Sequence, residues 1–407
     1  MPLRAPHLYR ALRCFCLGAF SVLHAERDGL PFAFEEHPSR RGTPLYEYRP
    51  LVRGFVEARA ERLGRREDAR LALDVLRGDP AATIFAHAHA SVKPNADDAL
   101  LRTVMLPLLV ATAEACGGFD WDDAAFDHAY RDLERSLFGE GHLFGAVAPL
   151  VGISAGSGIE LGDGVRVRSA AAGELAAHWP EAQGLLPHGF GREPDRLCVL
   201  ELERDLPRGA ADPPDAAGEL ADAVTALRLA TDGAVAAGPV LFERLDWRPY
   251  GIRPVLPIAA TQPAGEPTRL DSFRGRLAAD LRERLAPADD DAALGEALDR
   301  WELSLFQDGP FAAEQLRGSL AALLGGRDGG WAAAVRCAVL LGETPRERGE
   351  LLGRLRGESP PPDLVRRALV ETLMHGNRTA LVATLDESIL GLRPRPAGYF
   401  AACAKTA

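Results

Sequence analysis

The sequence predicts an α+β protein that is predominantly helical, with a helical N-terminal region, a mixed α/β middle region and a C-terminal helical bundle. Three observations support this prediction. Helical amphipathic periodicity dominates residues 1–145, strand-like alternation begins in residues 146–262, and short helical segments joined by brief loops fill residues 291–376. We therefore divide the chain into residues 1–145, 146–262 and 263–407, the last of which contains the bundle.

The bulk composition excludes some classes of function. The 407 residues carry a formal net charge of −11, which argues against indiscriminate binding to nucleic-acid backbones or anionic membranes. The six cysteines are scattered without a CxxC pair, so we expect reduced thiols and no cofactor. The apolar run at 14–25 loosely imitates a signal peptide, but Ser21 and His24 interrupt it. We expect a cytoplasmic protein with no membrane partner.

The N-terminal region is predicted to be mostly helical. Residues 48–78 combine an apolar face with an arginine-rich one, and residues 97–115 form a strongly apolar helix. Residues 121–138 place their large apolar side chains on one face, with Asp120 or Asp122 as the N-terminal cap.

One pair of histidines in this region resembles metal-ligand spacing. His87 and His89 form an HxH sequence, with which some metallohydrolases place two imidazoles on one side of a strand. The sequence downstream contains no obvious His/Asp set to complete a site. We interpret the pair as a loop or surface feature and expect no metal, with a metal enzyme as the alternative.

The middle region changes towards β-structure. A Gly-Asp-Gly turn at 162–164 precedes residues 165–168, which alternate as a half-buried strand should, and residues 197–202 form a second strand. Residues 219–230 form an amphipathic helix. Residues 235–242 and 252–258 return to extended structure, with prolines that indicate sheet edges or interrupted strands.

Residues 152–156 match GxSxG, the nucleophile elbow of α/β-hydrolases, with Ser154 as the candidate nucleophile. That elbow needs a strand before the serine and a helix directly after it. A run of glycines and then a strand follow instead, and the only later histidines are His178, His188 and His375. We interpret the segment as a turn, with a hydrolase at Ser154 as an alternative.

The bundle has the clearest helix signals in the chain. Five residues are expected to be buried against one another: Trp301, Leu316, Leu320, Val335 and Leu340. Thr344-Pro345-Arg346-Glu347 combines an N-cap hydroxyl, a proline at the first helical position and a glutamate three residues after the cap. After the prolines at 360–362, Asp363 is expected to cap the last helix, which ends in Leu373-Met374-His375-Gly376.

These residues resemble the HEPN superfamily, specifically the Apea-like HEPN proteins of prokaryotes. The resemblance covers about residues 160–377 and lies in the Ala226-Leu227-Arg228-Leu229 segment, in the order of the helices and in the terminal His375-Gly376. It implies metal-independent RNA cleavage at a dimer interface, by an Arg-x(4–6)-His motif in the last helix. RNA supplies its own 2′-hydroxyl nucleophile, so an imidazole and a guanidinium can suffice for this chemistry.

The sequence departs from this motif at one of its two positions. Val370 stands five residues before His375, and the nearest upstream arginine is Arg367, eight positions away. On a continuous helix that separation is about 12 Å. His375 would then be a C-terminal histidine that interacts with the helix dipole.

Three hypotheses follow for the function. The first is a HEPN-like protein that lacks nuclease activity and acts as a binding or scaffolding component of an RNA-linked or defence system. It would form a homodimer through the C-terminal bundle and bind an RNA or protein partner. The second is a metal-independent ribonuclease that uses His375 with Arg367 or Arg378. The third is a hydrolase or metal enzyme on Ser154 or on His87 and His89.

Overall fold

The computed structural model confirms a predominantly helical α+β fold with a sheet in the middle region. It describes residues 4–37, 45–89, 96–139, 141–170, 174–175, 198–207, 214–238, 240–245, 248–254, 267–286 and 290–399. Two of the three histidines that follow Ser154 in the sequence, His178 and His188, lie outside these residues.

The N-terminal region contains helices around one hydrophobic core and a two-stranded antiparallel sheet. The helices are α1 (Pro6–His24), α2 (Val52–Glu57), α3 (Ala60–Gly64), α4 (Glu67–Arg77), α5 (Pro80–His89), α6 (Ala96–Leu100), α7 (Leu106–Cys116) and α8 (Asp123–Phe138). Strand β1 (Phe32–His37) pairs with β2 (Leu45–Pro50). Residues 48–50, at the start of the segment 48–78, therefore belong to a strand and not to the predicted helix. They are extended because they pair with β1, which lies earlier in the chain.

The apolar segment that begins at Asp97 is helical, as predicted, with a π-turn at Leu101–Met105 directly before Pro107. A π-turn is a common local adjustment of a helix next to a break in its hydrogen-bond ladder. By length and composition Asp97–Cys116 could cross a membrane, with a mean hydropathy of 1.6, but 72% of that window is buried inside the protein. A helix that is buried in a protein core can have the same length and apolar composition.

The middle region is built on an antiparallel sheet. Its strands are β3 (Gly141–Val151), β5 (Ile159–Glu160), β6 (Val165–Ser169), β7 (Cys198–Pro207), β8 (Ala236–Ala237), β9 (Val240–Leu245) and β10 (Arg248–Pro254). They run in the order β10-β9-β3-β7-β6-β5, and β8 also pairs with β3. The short strand β4 (Ile153–Ala155) pairs in parallel with β11 (Thr268–Leu270).

The two faces of this sheet differ in chemistry. One face carries the apolar residues Phe144, Ala146, Ala148, Leu150, Leu200 and Leu202 and packs with α9 (Ala216–Thr231). The other face carries Glu201, which is 1% exposed and pairs with Arg166, Arg168 and Arg244 at 2.7, 2.8 and 2.8 Å. Alternation along each strand produces this division, since neighbouring side chains point to opposite faces.

The C-terminal region is a bundle of short helices. They are α10 (Ser272–Leu285), α11 (Ala292–Ser304), α12 (Gly309–Leu320), α13 (Gly329–Leu341), α14 (Pro345–Leu355), α15 (Pro362–His375) and α16 (Arg378–Ile389). Thr344 caps α14 in the predicted capping box. Asp363, in contrast, is not the cap of α15: Pro361 takes that position, and Asp363 lies in the first turn, where it pairs with Arg366.

The burial prediction for the bundle is right at four of five positions. Trp301, Leu316, Leu320 and Leu340 are 0%, 2%, 4% and 3% exposed. Val335 is only half-buried. It lies five residues, or about 140° around the helix, from Leu340, so both cannot lie at the centre of one buried stripe. Cys337, Leu340 and Leu341 form that stripe instead.

The sheet and the bundle share one hydrophobic core, and the N-terminal helices have another. Sheet residues such as Leu200 and bundle residues such as Trp301 belong to the same cluster. A fully buried ion pair joins the two parts, with 2.9 Å between Arg228 Nη1 on α9 and Glu302 Oε1 on α11. The predicted boundary between residues 262 and 263 therefore crosses a continuous core.

Candidate functional site

Helix α15 carries both candidate catalytic residues, Arg367 and His375. It begins at Pro362, where the ring fixes a helical φ, and ends at Gly376, whose φ of 78° is left-handed. Its inward face is apolar and holds it against the bundle through Leu364, Val365, Ala368, Leu369 and Leu373. The helix is continuous, so Arg367 and His375 remain about 12 Å apart along its axis.

His375 lies exposed at the end of α15. Its Nδ1 is 3.1 Å from the carbonyl oxygen of Asn377. A neutral imidazole that donates from Nδ1 keeps the lone pair on Nε2 for another partner. Arg284 lies close to this turn, because its Nη1 donates to the carbonyl oxygen of Met374 at 3.3 Å.

A cleft of about 840 Å³ opens at the turn after α15, and Gly376 and Asn377 line it but His375 does not. The C-terminal end of α10, the start of α11 and the junction of α15 with α16 surround it. Its lining includes two cations, three acids and three small polar side chains, which are Arg284, Arg378, Glu283, Asp290, Asp291, Thr372, Asn377 and Thr379. The volume is in the range of small-molecule sites.

The cleft's second arginine is engaged within the protein. Arg378 donates from Nε to Asp291 Oδ2 at 2.8 Å and from Nη1 to the carbonyl oxygen of Leu323 at 3.3 Å. Burial tends to raise the pKa of Asp291, but the hydrogen bonds from Arg378 and from the backbone N–H of Leu294 hold it below its usual value. Arg378 therefore neutralises the charge of Asp291, whose carboxylate caps the start of α11.

Arg367 lines a different cleft, of about 420 Å³, between α13, α14, α15 and the segment after α16. Glu371, one turn further along α15, also lines this groove and is 6% exposed. Burial raises the pKa of the nearby Cys337 thiol to about 12, and the charge of Arg367 opposes that rise. Arg367 thus lines a groove to which His375 does not contribute.

Another arginine of the bundle, Arg336 on α13, ties the helices together. Its guanidinium, in a side chain 8% exposed, pairs with Asp328 and Asp386, each at 2.7 Å. It also donates to the carbonyl oxygens of Leu324 and Gly325. These contacts join α13 to α16 and to the end of the π-helical turn Ala321–Gly325, which follows α12. Arg336 lines neither cleft.

Ser154 does not occupy a nucleophile elbow. It lies within β4, and the next described elements are the strands β5 and β6. An elbow requires a helix directly after the serine, which places the hydroxyl at the helix N-terminus. The segment from Ile153 to Ala155 instead forms a parallel pair with β11.

His87 and His89 lie in helix α5, neither on a strand nor in the predicted loop. Positions two apart on a helix do not share a face, so the argument that an HxH pair binds one metal does not apply there. Among the described residues, no group of three or more His, Cys, Asp or Glu is placed to hold a metal ion.

Two residues of the site were not found by sequence reasoning. Arg284 lies on another helix, α10, and donates to the carbonyl oxygen of Met374, the residue before His375. Nothing in the sequence around Arg284 indicates this contact. Glu371 could have been found, because it is four residues after Arg367 and four before His375 on a predicted helix. No family model, curated protein or solved structure matches the chain.

Proposed function

We propose that this chain is a prokaryotic, cytoplasmic HEPN-like protein that lacks nuclease activity and acts as a binding or scaffolding component. Its partner would be RNA or another protein of an RNA-linked or defence system, and its C-terminal bundle would form a homodimer. The proposal combines the resemblance of residues 160–377 to the Apea-like HEPN proteins with one observation. That observation is that Arg367 lines the groove between α13, α14 and α15, whereas His375 lies at the C-terminal end of α15 and does not line that groove.

The separation matters because both groups must act on one phosphate. In the chemistry that the resemblance implies, the imidazole takes a proton from the 2′-hydroxyl while the guanidinium stabilises charge on the scissile phosphate. A gap of about 12 Å prevents one phosphate from contacting both groups. Losing one preorganised electrostatic contact typically costs on the order of 10²–10³ in rate.

Cleavage of RNA by the purified protein tests the proposal. We expect no cleavage above background by the wild type and no change in His375→Ala, with folding verified by circular dichroism. Robust cleavage that His375→Ala abolishes would overturn the proposal. Light scattering tests the dimer, for which we expect twice the chain mass of 43.7 kDa. Fluorescence anisotropy with labelled RNA separates an RNA partner from a protein partner.

Inserting the missing arginine as Val370→Arg is not a usable test. Val370 is 0% exposed and belongs to the core that sheet and bundle share. A guanidinium there would be buried without a partner, and the bundle would unfold before its activity could be measured.

A metal-independent ribonuclease centred on His375 is the second candidate. The observation that favours it is the cleft at the turn that follows His375, which two other arginines, Arg284 and Arg378, line. In that case Arg284→Ala would reduce cleavage by about 10²–10³. Arg367→Ala is the matched control, since it removes an arginine that lies on the helix of His375, α15, but lines the other cleft.

A further inference from the structure

An exposed tryptophan lies at one end of the hairpin that α13 and α14 form. Trp331 is in the first turn of α13 and is 56% exposed. The guanidinium of Arg356, the residue after α14, lies over its ring, with 4.6 Å between Arg356 Cζ and the ring centroid. Tryptophan is enriched at interfaces, where its large ring contributes apolar area. The stacked pair presents such a planar surface to solvent.

Two further arginines lie near this pair. Arg327 is in the turn that precedes α13, and Arg317 on α12 donates from Nη1 to the carbonyl oxygen of Glu358, two residues after Arg356. None of the three arginines forms an ion pair with a residue that the structure describes. Two other exposed arginines of the bundle do, since Arg346 pairs with Glu350 and Arg393 with Glu387. The arginines near Trp331 are therefore available to an anion.

The nearby carboxylates do not cancel this charge. Asp328 pairs with the buried guanidinium of Arg336 at 2.7 Å. Glu314, one turn before Arg317, and Glu358 are exposed and form no ion pair with a described residue. The three arginines outnumber these two carboxylates, although the whole chain has a formal net charge of −11.

The turn before α13 leaves open space beside Trp331. Gly326 and Gly329 have φ values of 54° and 76°, in the left-handed region that glycine adopts without strain. A Cβ at Gly326, Gly329 or Gly330 would meet nothing within 4 Å. A ligand can therefore approach the ring without displacing part of the protein.

We propose that Trp331, Arg356, Arg327 and Arg317 form a binding surface for single-stranded RNA, which we call the Trp331 patch. An unpaired base stacks on the indole or on the guanidinium plane, and the remaining arginines contact the neighbouring phosphates. The inference rests on the proposed function, because it selects RNA from the two partners named there and locates its contact on the bundle.

The charge of the Trp331 patch favours RNA over a second copy of this chain. A two-fold axis through the patch would bring the arginines of both copies together, and like charges repel. The homodimer of the proposed function would therefore use another face of the bundle. A single strand of RNA carries both phosphates and free planar bases, which match the arginines and the indole. The acidic remainder of the chain repels RNA and so restricts binding to this surface.

Fluorescence anisotropy of the native full-length protein tests the proposal, with a labelled single-stranded RNA of mixed sequence and about 12 nucleotides. We expect Trp331→Ala to raise the Kd about tenfold or more, because it removes the stacking surface, and Trp331→Phe to keep most of the affinity. Arg327→Ala should weaken binding and lower the slope of log Kd against log salt concentration by about 0.7, as for one lost phosphate contact. An RNA duplex of the same sequence should bind more weakly, because its bases are already paired.

Two variants serve as matched controls, and both should bind the RNA as the wild type does. Phe32→Ala removes another exposed aromatic ring, which is 51% exposed on β1 in the N-terminal region. Arg346→Ala removes an arginine from the opposite end of α14, about 15 Å from Arg356 along the helix axis. Circular dichroism verifies the folding of every variant.

Three results would overturn the proposal. The first is a wild-type protein that does not bind the RNA, which would leave a protein as the partner in the proposed function. The second is an equal affinity of the wild type and Trp331→Ala, which would place RNA elsewhere on the chain. The third is a loss in Arg346→Ala as large as that in Arg327→Ala, which would indicate attraction without a site. The proposed function fails on a different result, which is cleavage of RNA that His375→Ala abolishes.

Discussion

At the scale of single residues, the strongest constraint in the middle region is the carboxylate of Glu201. It is 1% exposed, and three guanidinium groups neutralise it, two from the neighbouring strand β6 and one from β9, which lies beyond β3. Burial by itself raises the pKa of this group, but the hydrogen bonds from Arg168 and Arg166 outweigh it and lower the pKa to about 2. The ion pairs therefore stabilise the fold only while Glu201 is ionised.

This pKa predicts how stability depends on pH. Because the folded pKa of Glu201 is below the usual value of 4.5, its contribution is present above that value and is lost as the pH falls from about 4.5 towards 2. At pH 7, Glu201→Gln should lower the free energy of unfolding by about 3 kcal/mol. Its free energy of unfolding should also fall less steeply between pH 5 and pH 3 than that of the wild type.

Urea titrations at several pH values measure both effects. Glu350→Gln is the matched control, because Glu350 is an exposed carboxylate that pairs with Arg346 on the surface of α14. It should cost about 0.5 kcal/mol or less. Equal slopes for the wild type and Glu201→Gln would contradict the assignment of Glu201 as the titrating group.

At the scale of elements, helix α14 depends on its first turn more than on burial. Only Leu355 of this helix is fully buried. Thr344 accepts a hydrogen bond from the backbone N–H of Glu347 at 3.2 Å, and Glu347 in turn accepts from the backbone N–H of Thr344 at 3.1 Å. These two bonds satisfy donors that the start of a helix otherwise leaves open.

Removing the cap should therefore destabilise α14 locally. Thr344→Ala is expected to cost about 1 kcal/mol, while Thr344→Ser, which keeps the hydroxyl, should cost much less. Hydrogen exchange of residues 345–349 measures the effect, with faster exchange expected in the alanine variant alone. Identical exchange in the two variants would mean that the hydroxyl does not cap the helix.

The buried stripe of α13 leads to a second prediction at this scale. Leu340→Ala should lower the free energy of unfolding by roughly 2–5 kcal/mol, because it leaves a cavity in a core that relaxes only partly. Val335→Ala, at the half-buried position of the same helix, should cost clearly less. Chemical denaturation of the two variants compares them, and an equal or larger cost at Val335 would refute the assignment of the stripe.

At the scale of the whole molecule, the described residues form two main cores rather than three. The N-terminal helices pack around one, and the sheet and bundle share the other. The buried pair of Arg228 and Glu302 belongs to the second core, where Thr225 also donates to Glu302 at 2.7 Å. A buried charge that loses its partner is expensive, so this network couples α9 to α11.

Two cores predict two unfolding events. Glu302→Gln should lower the stability of the sheet and bundle by about 3–5 kcal/mol and leave the N-terminal helices unchanged. Hydrogen exchange with mass spectrometry in increasing urea measures each part separately. A control variant in the N-terminal core, Leu133→Ala, should show the opposite pattern. Loss of protection in both parts at one urea concentration for all proteins would show that the chain unfolds as one unit.

The sequence by itself determined the features that depend on neighbouring residues. These are the helical bundle, the capping box at Thr344, the end of α15 at Gly376 and the half-buried strand at 165–168. Each follows from side-chain periodicity or from hydrogen bonds between residues a few positions apart. The separation of Arg367 from His375 belongs to this group, since the rise of one continuous helix decides it.

Only the tertiary structure decided the features that join distant parts of the chain. The pairing of β1 with β2, the core shared by sheet and bundle, the contact of Arg284 with Met374 and the contact of Tyr399 with Glu371 are of this kind. Local patterns do not specify such contacts, because each depends on how whole elements pack. The errors at Val335 and Asp363 have related causes. Which side of α13 is buried depends on its neighbouring helices, and Pro361 takes the cap position before Asp363.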